Sequence, residues 1–287
     1  MGYDRQQRTL QKAVSFSGIG LHTAQQVHMR FCPAKAGAGI VFKRVDLPQK
    51  PLIHARIDRV CQTERSTTLG ENGVKIHTVE HVLAALHAFQ IDNLLIEVDA
   101  MEPPIGNGSS DVFVEMIEEA GVEEQEERVS VQRLKTPVHF SDRDIHIVAL
   151  PSDEYRISYT LSHGNHPVLG SQFFSTPITA ATFKEELAPC RTFCLYEEIS
   201  ALMDLGLIKG GSLDNAVVIK QDAVISKGGL FFPNEMVRHK ILDVVGDLSL
   251  MGKPFLAHII AIKAGHASNV AFAKCLHESL QNERLHI

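Results

Sequence analysis

The first half of the chain alternates between helical and strand-like spacing of its apolar residues. This spacing predicts a helix over 78–89, and a short aliphatic run predicts a buried strand over 93–98. A turn rich in Pro and Gly follows through Gly108, and a further helical pattern begins at Ser109. Strands and helices without strict alternation favour an α+β layer over a parallel α/β sheet.

The second half repeats this order. Its pattern predicts a helix over 234–250, a buried strand over 255–262, a turn over 263–268 and a helix from Asn269 onward. Self-similarity of this kind indicates a duplicated unit. We therefore predict an α+β protein of two related domains, each a sheet layer packed with helices.

An acidic stretch separates the two halves. The residues from Glu115 to Glu127 end a predicted helix and run into a cluster of glutamates, whereas 129–138 shows the alternation of a strand. We predict a linker here, with a first domain over 1–127 and a second over 128–287; a solvated helix end is the alternative interpretation. The length of 287 residues also fits two compact domains of roughly 100–150 residues each.

Composition narrows the range of functions. Apolar residues make up 44% of the chain and charged residues 22%, which is typical of a globular protein and argues against disorder. The formal charge is −6 and no Lys/Arg tract is present, so nucleic acid is not an expected partner. No apolar run approaches the roughly 20 residues that cross a bilayer, so we expect no transmembrane segment and, at most, transient contact with a membrane surface.

The cysteines predict a reducing compartment. Their number is odd, no apolar signal segment is visible at the start, and the one closely spaced pair lacks a second pair that would complete a structural zinc knot. We therefore expect ordinary thiols and a cytoplasmic protein. The cysteines are Cys32, Cys61, Cys190, Cys194 and Cys275.

The segment from His77 to His81 contains the first residues with metal-binding chemistry. Its two imidazoles stand four residues apart, which on a helix places them on one face, and Glu80 lies beside the second. A histidine pair on an apolar helix is more often a packing or capping feature than a pair of ligands. The segment alone therefore does not establish a metal site.

A second predicted helix offers a polar stripe of His239, Asp243 and Asp247 at intervals of four among apolar neighbours. Burying these groups is costly unless they find partners, and a metal ion is one such partner. Zinc prefers imidazole and carboxylate ligands, and a catalytic site supplies three of them and leaves one position to water. An exposed helix face explains the stripe equally well at this point.

A third element is His266, which stands in the predicted turn directly after an apolar strand. Histidines in loops held by a rigid scaffold serve as catalytic acids and bases, although most loop histidines are merely surface residues. By itself, this residue establishes no function.

Six short motifs in a fixed order form a further pattern. They are Gly18-Ile19-Gly20-Leu21-His22, Thr78-Val79-Glu80-His81, Arg191-Thr192-Phe193, Arg238-His239-Lys240-Ile241-Leu242-Asp243, Gly246-Asp247-Leu248 and Gly265-His266. With these motifs the chain resembles the UDP-3-O-acyl-N-acetylglucosamine deacetylase family over nearly its whole length. Several separate motifs that agree in order and spacing are far more specific than any one of them.

The resemblance implies hydrolysis of the N-acetyl group of UDP-3-O-acyl-N-acetylglucosamine with release of acetate, the committed step of lipid A biosynthesis. It implies a Zn²⁺ ion bound by His81, His239 and Asp243, with Glu80 as general base. Zinc lowers the pKa of bound water from ~15.7 towards ~7, which supplies the strong nucleophile that an unactivated amide requires.

The resemblance also implies roles for residues around the metal. The Thr192 hydroxyl would share the stabilisation of the oxyanion with zinc, and Asp247 would hold a protonated His266 that stabilises charge and donates a proton to the leaving amine. Whether Glu80 or His266 delivers that last proton is left open by the sequence.

The implied substrate contacts are Lys240, which would face the substrate, and Phe193, which would lie at the mouth of an apolar passage for the fatty acyl chain. In this family an insertion corresponding to 193–219 forms that passage; by composition alone, these residues are ordinary core. We expect a monomer.

Two positions need separate interpretation. His77 to His81 spells H-x-x-E-H, the inverted zinc-protease signature, but the family completes its ligands from distant residues, so we predict that His77 is not a ligand. Asn107 stands where family members usually have Asp, and either side chain is able to cap the following helix.

Two other functions stay open. One is an inverzincin-like metallopeptidase that uses His77, His81 and Glu80, and the other is a non-catalytic protein that binds a sugar nucleotide or a lipid. Loss of metal after His77→Ala, but not after His239→Ala, would favour the peptidase. A persistent lack of metal that cannot be restored would favour the binding protein.

Overall fold

The computed structural model describes residues 3–164 and 166–285. Its strands are β1 (Tyr3–Leu10), β2 (Val14–Ile19), β3 (Gln26–Pro33), β4 (Ile40–Arg44), β5 (Leu52–His54), β6 (Val60–Gln62), β7 (Thr68–Glu71), β8 (Val74–Ile76), β9 (Leu94–Val98), β10 (Val122–Arg133), β11 (Val138–Asp142), β12 (Ile145–Leu150), β13 (Arg156–Ser162), β14 (Ser171–Pro177), β15 (Phe193–Leu195), β16 (Val217–Ile219), β17 (Val224–Ile225), β18 (Phe255–Leu256) and β19 (His258–Ile262). Its α-helices are α1 (Glu80–Ala88), α2 (Asp111–Ala120), α3 (Ala180–Thr182), α4 (Ile199–Asp204), α5 (Glu235–Ser249) and α6 (His266–Leu285), and shorter helical turns cover Ile57–Arg59, Phe183–Leu187 and Tyr196–Glu198.

Two five-stranded sheets form the framework, and they share one topology. The first has the order β2-β3-β9-β4-β5 and the second β11-β12-β19-β13-β14. In each sheet the central strand is the last in sequence; it is parallel to one neighbour, and all the other pairs are antiparallel. This repeated arrangement confirms the predicted α+β fold of two related units.

Each sheet buries one face because apolar residues alternate along its strands. Met29 and Phe31 of β3 are fully buried, as are Ile259 and Ala261 of β19. Helix α2 contacts the first sheet at β2, whereas α5 and α6 cover the second sheet. The buried apolar residues of both halves belong to one continuous core.

Helices α1 and α5 pack against each other, and Gly246 permits their close approach. A Cβ atom at Gly246 would lie 2.2 Å from the backbone oxygen of Glu80. A side chain cannot be placed at that distance from the backbone, so glycine is required here for steric reasons. The contact joins a helix of the first half to a helix of the second.

The acidic stretch between the halves ends helix α2 and continues into strand β10. Strand β10 runs continuously through residue 127, pairs antiparallel with β1, and pairs parallel with β18 at its end. Its glutamates are mostly exposed, and Glu124 forms an ion pair with Arg8, with 2.8 Å between Oε1 and Nη2. Strand pairing thus outweighs the low strand propensity of glutamate. The division into domains at this point stays a prediction.

The predicted helices exist, but several boundaries differ. The helix predicted from residue 78 begins at Glu80. The strand predicted over 255–262 consists of β18 and β19, which belong to different sheets. The turn predicted over 263–268 is shorter, because α6 begins at His266 rather than at Asn269.

All five cysteines are free thiols, as the sequence predicts. Within residues 3–164 and 166–285, no helix combines the length and apolarity that a membrane span requires.

Candidate metal centre and active site

The polar stripe on α5 is buried. His239 and Asp243 are each 2% exposed and Asp247 is 0% exposed. The alternative of an exposed helix face is therefore wrong. Buried polar and charged groups require partners, and those partners define the site.

Helix α1 carries Glu80 and His81 in its first turn. Just before it, Thr78 has a φ of +54°, which is a strained conformation for a β-branched residue. Its buried hydroxyl has no hydrogen-bond partner among the described residues. Strain of this kind clusters at functional sites. Because the helix begins after this break, His77 and His81 do not share a helical face, contrary to the expectation from their spacing.

The structure brings His81, His239 and Asp243 together from two helices. Their potential ligand atoms all lie within 4.8 Å of one another. The distances from Asp243 Oδ1 are 3.8 Å to His81 Nε2 and 3.3 Å to His239 Nε2. The two imidazole rings meet edge to face with centroids 5.0 Å apart. We call these three residues the metal cluster.

The metal cluster fits a divalent cation. Asp243 Oδ1 is buried and lacks a hydrogen-bond partner within the part of the chain described, whereas Oδ2 accepts from Lys240 Nζ at 2.9 Å. His239 Nδ1 donates to the backbone oxygen of Cys190 at 3.0 Å, so its Nε2 carries a lone pair. An unpaired carboxylate oxygen between two imidazole nitrogens is a donor set that suits zinc.

The protonation states also suit a metal. Burial and the neighbouring His239 lower the pKa of His81 to about 3, and burial lowers the pKa of His239 as well. Burial by itself raises the pKa of Asp243, but Lys240 and the neighbouring imidazoles outweigh it and hold that pKa well below its usual range. Neutral imidazoles and an ionised carboxylate are the forms that bind metals.

Glu80 lies beside the metal cluster with one carboxylate oxygen fixed. Oε2 accepts a hydrogen bond from the Thr67 backbone N–H at 3.0 Å, and Oε1 lies 3.8 Å from His266 Nε2. Burial raises the pKa of Glu80 to about 7, although the charge of His266 opposes the shift. A carboxyl group with a pKa near neutrality is suited to general-base chemistry.

His266 is held by Asp247. Its Nδ1 donates to Asp247 Oδ2 at 2.9 Å. Burial lowers the pKa of His266, but the carboxylates of Asp247 and Glu80 outweigh burial and raise it to about 10. The ring is therefore cationic near neutral pH.

A cleft of about 370 Å³ opens onto these groups. The metal cluster, Glu80 and His266 line it, whereas Asp247 lies behind His266. The predicted residues Thr192, Phe193 and Lys240 also line the cleft. Further side chains that line it include Leu21, Arg65 and Lys263.

The segment that brings Thr192 into the cleft is anchored on both sides. The Thr192 backbone N–H donates to Gly108 O at 2.8 Å, and the adjacent Arg191 forms a buried ion pair with Glu235 at 2.8 Å. Lys240 Nζ lies 5.7 Å from the centre of the Phe193 ring.

Residues 193–219, for which an acyl passage is predicted, form a small unit beside the cleft. In it, β15 and β16 pair in parallel and lie on either side of α4 in sequence. Strand β17, just beyond this unit, pairs antiparallel with β16. Leu202 of α4 is buried, whereas Met203 and Leu205 are exposed. Apolar side chains thus lie on both the inner and the outer surface of this unit.

His77 and Asn107 have structural surroundings of their own. His77 lines a second cavity of about 410 Å³, and its Nδ1 lies 2.9 Å from Thr68 Oγ1. Among the described residues, the potential metal-binding group includes His81 but not His77. Asn107 does not cap α2, because its Oδ1 accepts hydrogen bonds from the backbone and hydroxyl of Ser109.

The sequence analysis missed Thr67 and Asn269. Thr67 Oγ1 donates to Asp247 Oδ1 at 2.6 Å, and Asn269 Nδ2 donates to Asp247 Oδ2 at 2.9 Å. Both residues are buried. Neither belongs to a recognisable motif, and the one available signal was indirect: a buried carboxylate at Asp247 requires more donors than His266 alone.

Comparison with known proteins adds independent information. The sequence model of the UDP-3-O-acyl N-acetylglycosamine deacetylase family matches residues 7–278. A Chlamydia pneumoniae protein named UDP-3-O-acyl-N-acetylglucosamine deacetylase is 49% identical over 279 residues, which cover 97% of this chain and 99% of that protein. Proteins of the same name from Chlamydia abortus (50% over 278 residues; 97% and 99%) and Chlamydia trachomatis serovar L2 (48% over 280 residues; 98% and 98%) are equally similar.

Proposed function

The chain belongs to the UDP-3-O-acyl N-acetylglycosamine deacetylase family, and from this membership we propose that it hydrolyses the N-acetyl group of UDP-3-O-acyl-N-acetylglucosamine and releases acetate. This reaction is a step of lipid A biosynthesis. The family match over residues 7–278 carries the proposal, and the buried metal cluster at the base of the cleft supports it.

We infer that the cofactor is Zn²⁺ and that His81, His239 and Asp243 hold it. Zinc bound there supplies Lewis-acid chemistry, since it lowers the pKa of a water molecule from ~15.7 towards ~7 and polarises a carbonyl group. The unpaired Asp243 Oδ1 and the neutral imidazoles support this ligand set. Lys240 and the Cys190 carbonyl orient Asp243 and His239, two of the three ligands, through hydrogen bonds.

Glu80 is the general base. The Thr67 N–H occupies Oε2, so Oε1 is the oxygen that receives the proton of the attacking water. Its position next to His81 in sequence keeps it beside the metal cluster. General-base catalysis of this type typically contributes about 10²–10⁴-fold to the rate.

Thr192 and His266 act on the charge that develops on the acetyl oxygen and on the leaving nitrogen. The Thr192 hydroxyl donates to the oxyanion, and preorganised donors of this kind contribute about 3–4 kcal/mol each. His266 is kept cationic by Asp247, and we assign to its Nε2 the proton that the leaving amine takes up. Glu80, protonated after the attack, is the alternative donor.

The rest of the substrate is bound by the walls of the cleft. Lys240 attracts the polar and anionic parts of the nucleotide sugar, and Phe193 contacts the acyl chain where it enters the unit formed by 193–219. Each methylene group that is buried there contributes about 0.8 kcal/mol, so the acyl chain has a large share of the binding energy.

The deciding experiment measures acetate release from the acylated UDP-sugar, with and without a chelator, beside the unacylated UDP-sugar. We expect chelator-sensitive turnover that depends strongly on the acyl chain. Turnover that is independent of the acyl chain would contradict the proposed acyl-chain passage. Undiminished turnover in the presence of the chelator would contradict the proposed role of the metal ion. A wild-type protein that binds the sugar but releases no acetate would favour the non-catalytic alternative.

The dependence of kcat/KM on pH tests the two proton carriers. Glu80 must be ionised, so activity rises with pH up to and through its pKa, which is about 7 in the protein alone and is lowered by a cation beside it. His266 must be protonated, so activity falls as the pH rises through its pKa, which is about 10 in the protein alone and is likewise lowered by a cation beside it. A flat plateau above pH 10 would rule out His266 as the essential acid.

We further propose that the protein is a cytoplasmic monomer with its site between two domains, over 1–127 and 128–287. The free cysteines suit a reducing compartment, and α1 and α5 bring one side of the site from each half. Light scattering tests the monomer: a mass near 31.7 kDa is expected, and twice that value would contradict it.

A further inference from the structure

We propose that Thr67 is a positioning residue that fixes Glu80 and the His266–Asp247 pair relative to each other. The inference rests on the proposed function, because it concerns the two proton carriers of that reaction. Thr67 is 0% exposed and does not line the cleft, so it acts through its neighbours rather than on substrate.

The backbone of Thr67 fixes the base. Its N–H donates to Glu80 Oε2 at 3.0 Å. Glu80 stands at the first position of α1, where a side chain has no preceding helical turn to pack against. The hydrogen bond from outside the helix therefore selects the carboxylate rotamer and leaves Oε1 toward His266 and the cleft.

The hydroxyl of Thr67 fixes the acid. It donates to Asp247 Oδ1 at 2.6 Å, whereas Oδ2 accepts from His266 Nδ1 and Asn269 Nδ2, both at 2.9 Å. The two oxygens of Asp247 thus have separate donors. Without the hydroxyl, Oδ1 would be a buried acceptor without its donor, and the carboxylate would turn to share the remaining donors. Because His266 is bonded to that carboxylate, its ring would turn as well.

Thr67 also contacts His266 directly. Its oxygen lies 3.3 Å from His266 Nδ1, so the Nδ1–H is shared between Asp247 Oδ2 and Thr67 Oγ1. One residue therefore reaches the base through its backbone and the acid through its side chain. The β-branched side chain has few χ1 rotamers, which suits a group that must hold one orientation.

Thr67→Val separates the hydroxyl from the rest of the residue. Valine keeps the shape and the backbone N–H, whereas Thr67→Ser keeps the hydroxyl and removes a methyl group. We expect kcat for acetate release to fall by about 10- to 100-fold in Thr67→Val, the range found when partners behind active-site groups are removed. We expect KM to change by less than about threefold and Thr67→Ser to recover most of the lost kcat.

Thr68→Val is a matched control. Thr68 is the next residue, is 2% exposed, and its hydroxyl lies 2.9 Å from His77 on the side of the second cavity. It resembles Thr67 in chemistry and burial but contacts neither Glu80 nor Asp247 through its hydroxyl within the described residues. We expect kcat of Thr68→Val to equal that of the wild type.

A double-mutant cycle with Asp247→Asn tests the route of the effect. If Thr67 acts through Asp247, Thr67→Val adds less than about threefold to the loss in the Asp247→Asn protein, because groups that act as a unit are not additive. The ¹H NMR signal of the His266 Nδ1–H provides a readout apart from activity: it should shift in Thr67→Val and stay in place in Thr67→Ser and Thr68→Val. If Thr67→Val does not fold, Thr67→Ala is measured in the same way.

The possible outcomes are distinct. Wild-type turnover together with an unchanged kcat in Thr67→Val overturns the positioning role and leaves the proposed function intact. Full additivity with Asp247→Asn, or a loss in Thr67→Val that serine does not recover, overturns it as well. Absence of turnover in the wild type overturns the proposed function instead, and an unmoved Nδ1–H signal in Thr67→Val would then separately overturn the positioning role.

Discussion

Helices α1 and α5 contribute to the same metal cluster in different ways. Helix α5 presents His239 and Asp243 from the middle of 15 residues, where backbone hydrogen bonds on both sides fix their spacing. Helix α1 presents Glu80 and His81 from its first turn, directly after the strained Thr78. A helix interior therefore sets ligand spacing by itself, whereas a helix start depends on contacts from outside, as Glu80 does on Thr67.

Removal of a ligand from α5 should have the largest effect. We expect His239→Ala to lose most of its zinc and at least about 1000-fold in kcat/KM, because several kcal/mol of Lewis-acid stabilisation disappear. Metal content by mass spectrometry and acetate release measure both quantities. His77→Ala is the control and should keep about one zinc per chain; the reverse pattern would favour the metallopeptidase alternative.

Glu80→Gln should have the next largest effect. The amide keeps the size of the side chain but cannot accept the proton, so we expect kcat to fall by about 10²–10⁴-fold with zinc content unchanged. This variant distinguishes the roles of the two residues that α1 contributes: Glu80→Gln should lose activity but keep its zinc, whereas His81→Ala should lose both. Near-wild-type turnover of Glu80→Gln would remove it from the mechanism.

Gly246→Ala tests the contact between the two helices. A Cβ atom 2.2 Å from Glu80 O forces the helices apart, so we expect a loss of up to about 3 kcal/mol in the free energy of unfolding. Denaturant unfolding measures the loss. Gly265→Ala is a stability control, because a Cβ atom there has nothing within 4 Å. Equal stability of the two variants would mean that the α1–α5 contact adapts freely.

His87, at the far end of α1, should give the smallest effect. Burial, aided by Arg5, lowers its pKa to about 4, against about 6.5 in an unfolded chain. The unfolded state therefore binds more protons between pH 6.5 and 4. The contribution of His87 to the free energy of unfolding is fully present above pH 6.5 and is lost as the pH falls towards 4. The loss is about 2 kcal/mol at pH 5.

His87→Gln removes this titration. The variant should show a flatter dependence of unfolding free energy on pH between 6.5 and 4 than the wild type, with both proteins saturated with zinc so that the cluster histidines do not contribute. Identical slopes would show that folding does not lower the pKa of His87.

The sequence predicted what regular helix spacing determines. The stripe on α5 and the duplicated order of elements were visible because apolar periodicity and intervals of four residues follow directly from helix geometry. The resemblance added the choice of His81 over His77 as the partner of that stripe. The burial of the stripe, which decides between a site and an exposed face, required the structure.

The rest depended on contacts between distant segments. No local pattern indicates that Thr78 interrupts the helix, that Thr67 supplies a donor to Asp247, or that the glutamates before residue 128 join a strand beside β1. These features arise from tertiary pairing, which overrides local propensity. The predicted cap at Asn107 was wrong for a different, local reason, since the side chain accepts hydrogen bonds from Ser109 within its own turn instead.

The position of β19 has a consequence for synthesis. This strand fills the gap between the hairpins β11-β12 and β13-β14, yet it is translated long after both. A nascent chain that stops before His258 therefore carries two open, apolar strand edges, which are templates for aggregation. We expect a chain truncated at residue 257 to accumulate with chaperones or in inclusion bodies, as fractionation of expressing cells would reveal. The last-made strand thus decides whether the earlier part of this half ever reaches its native state.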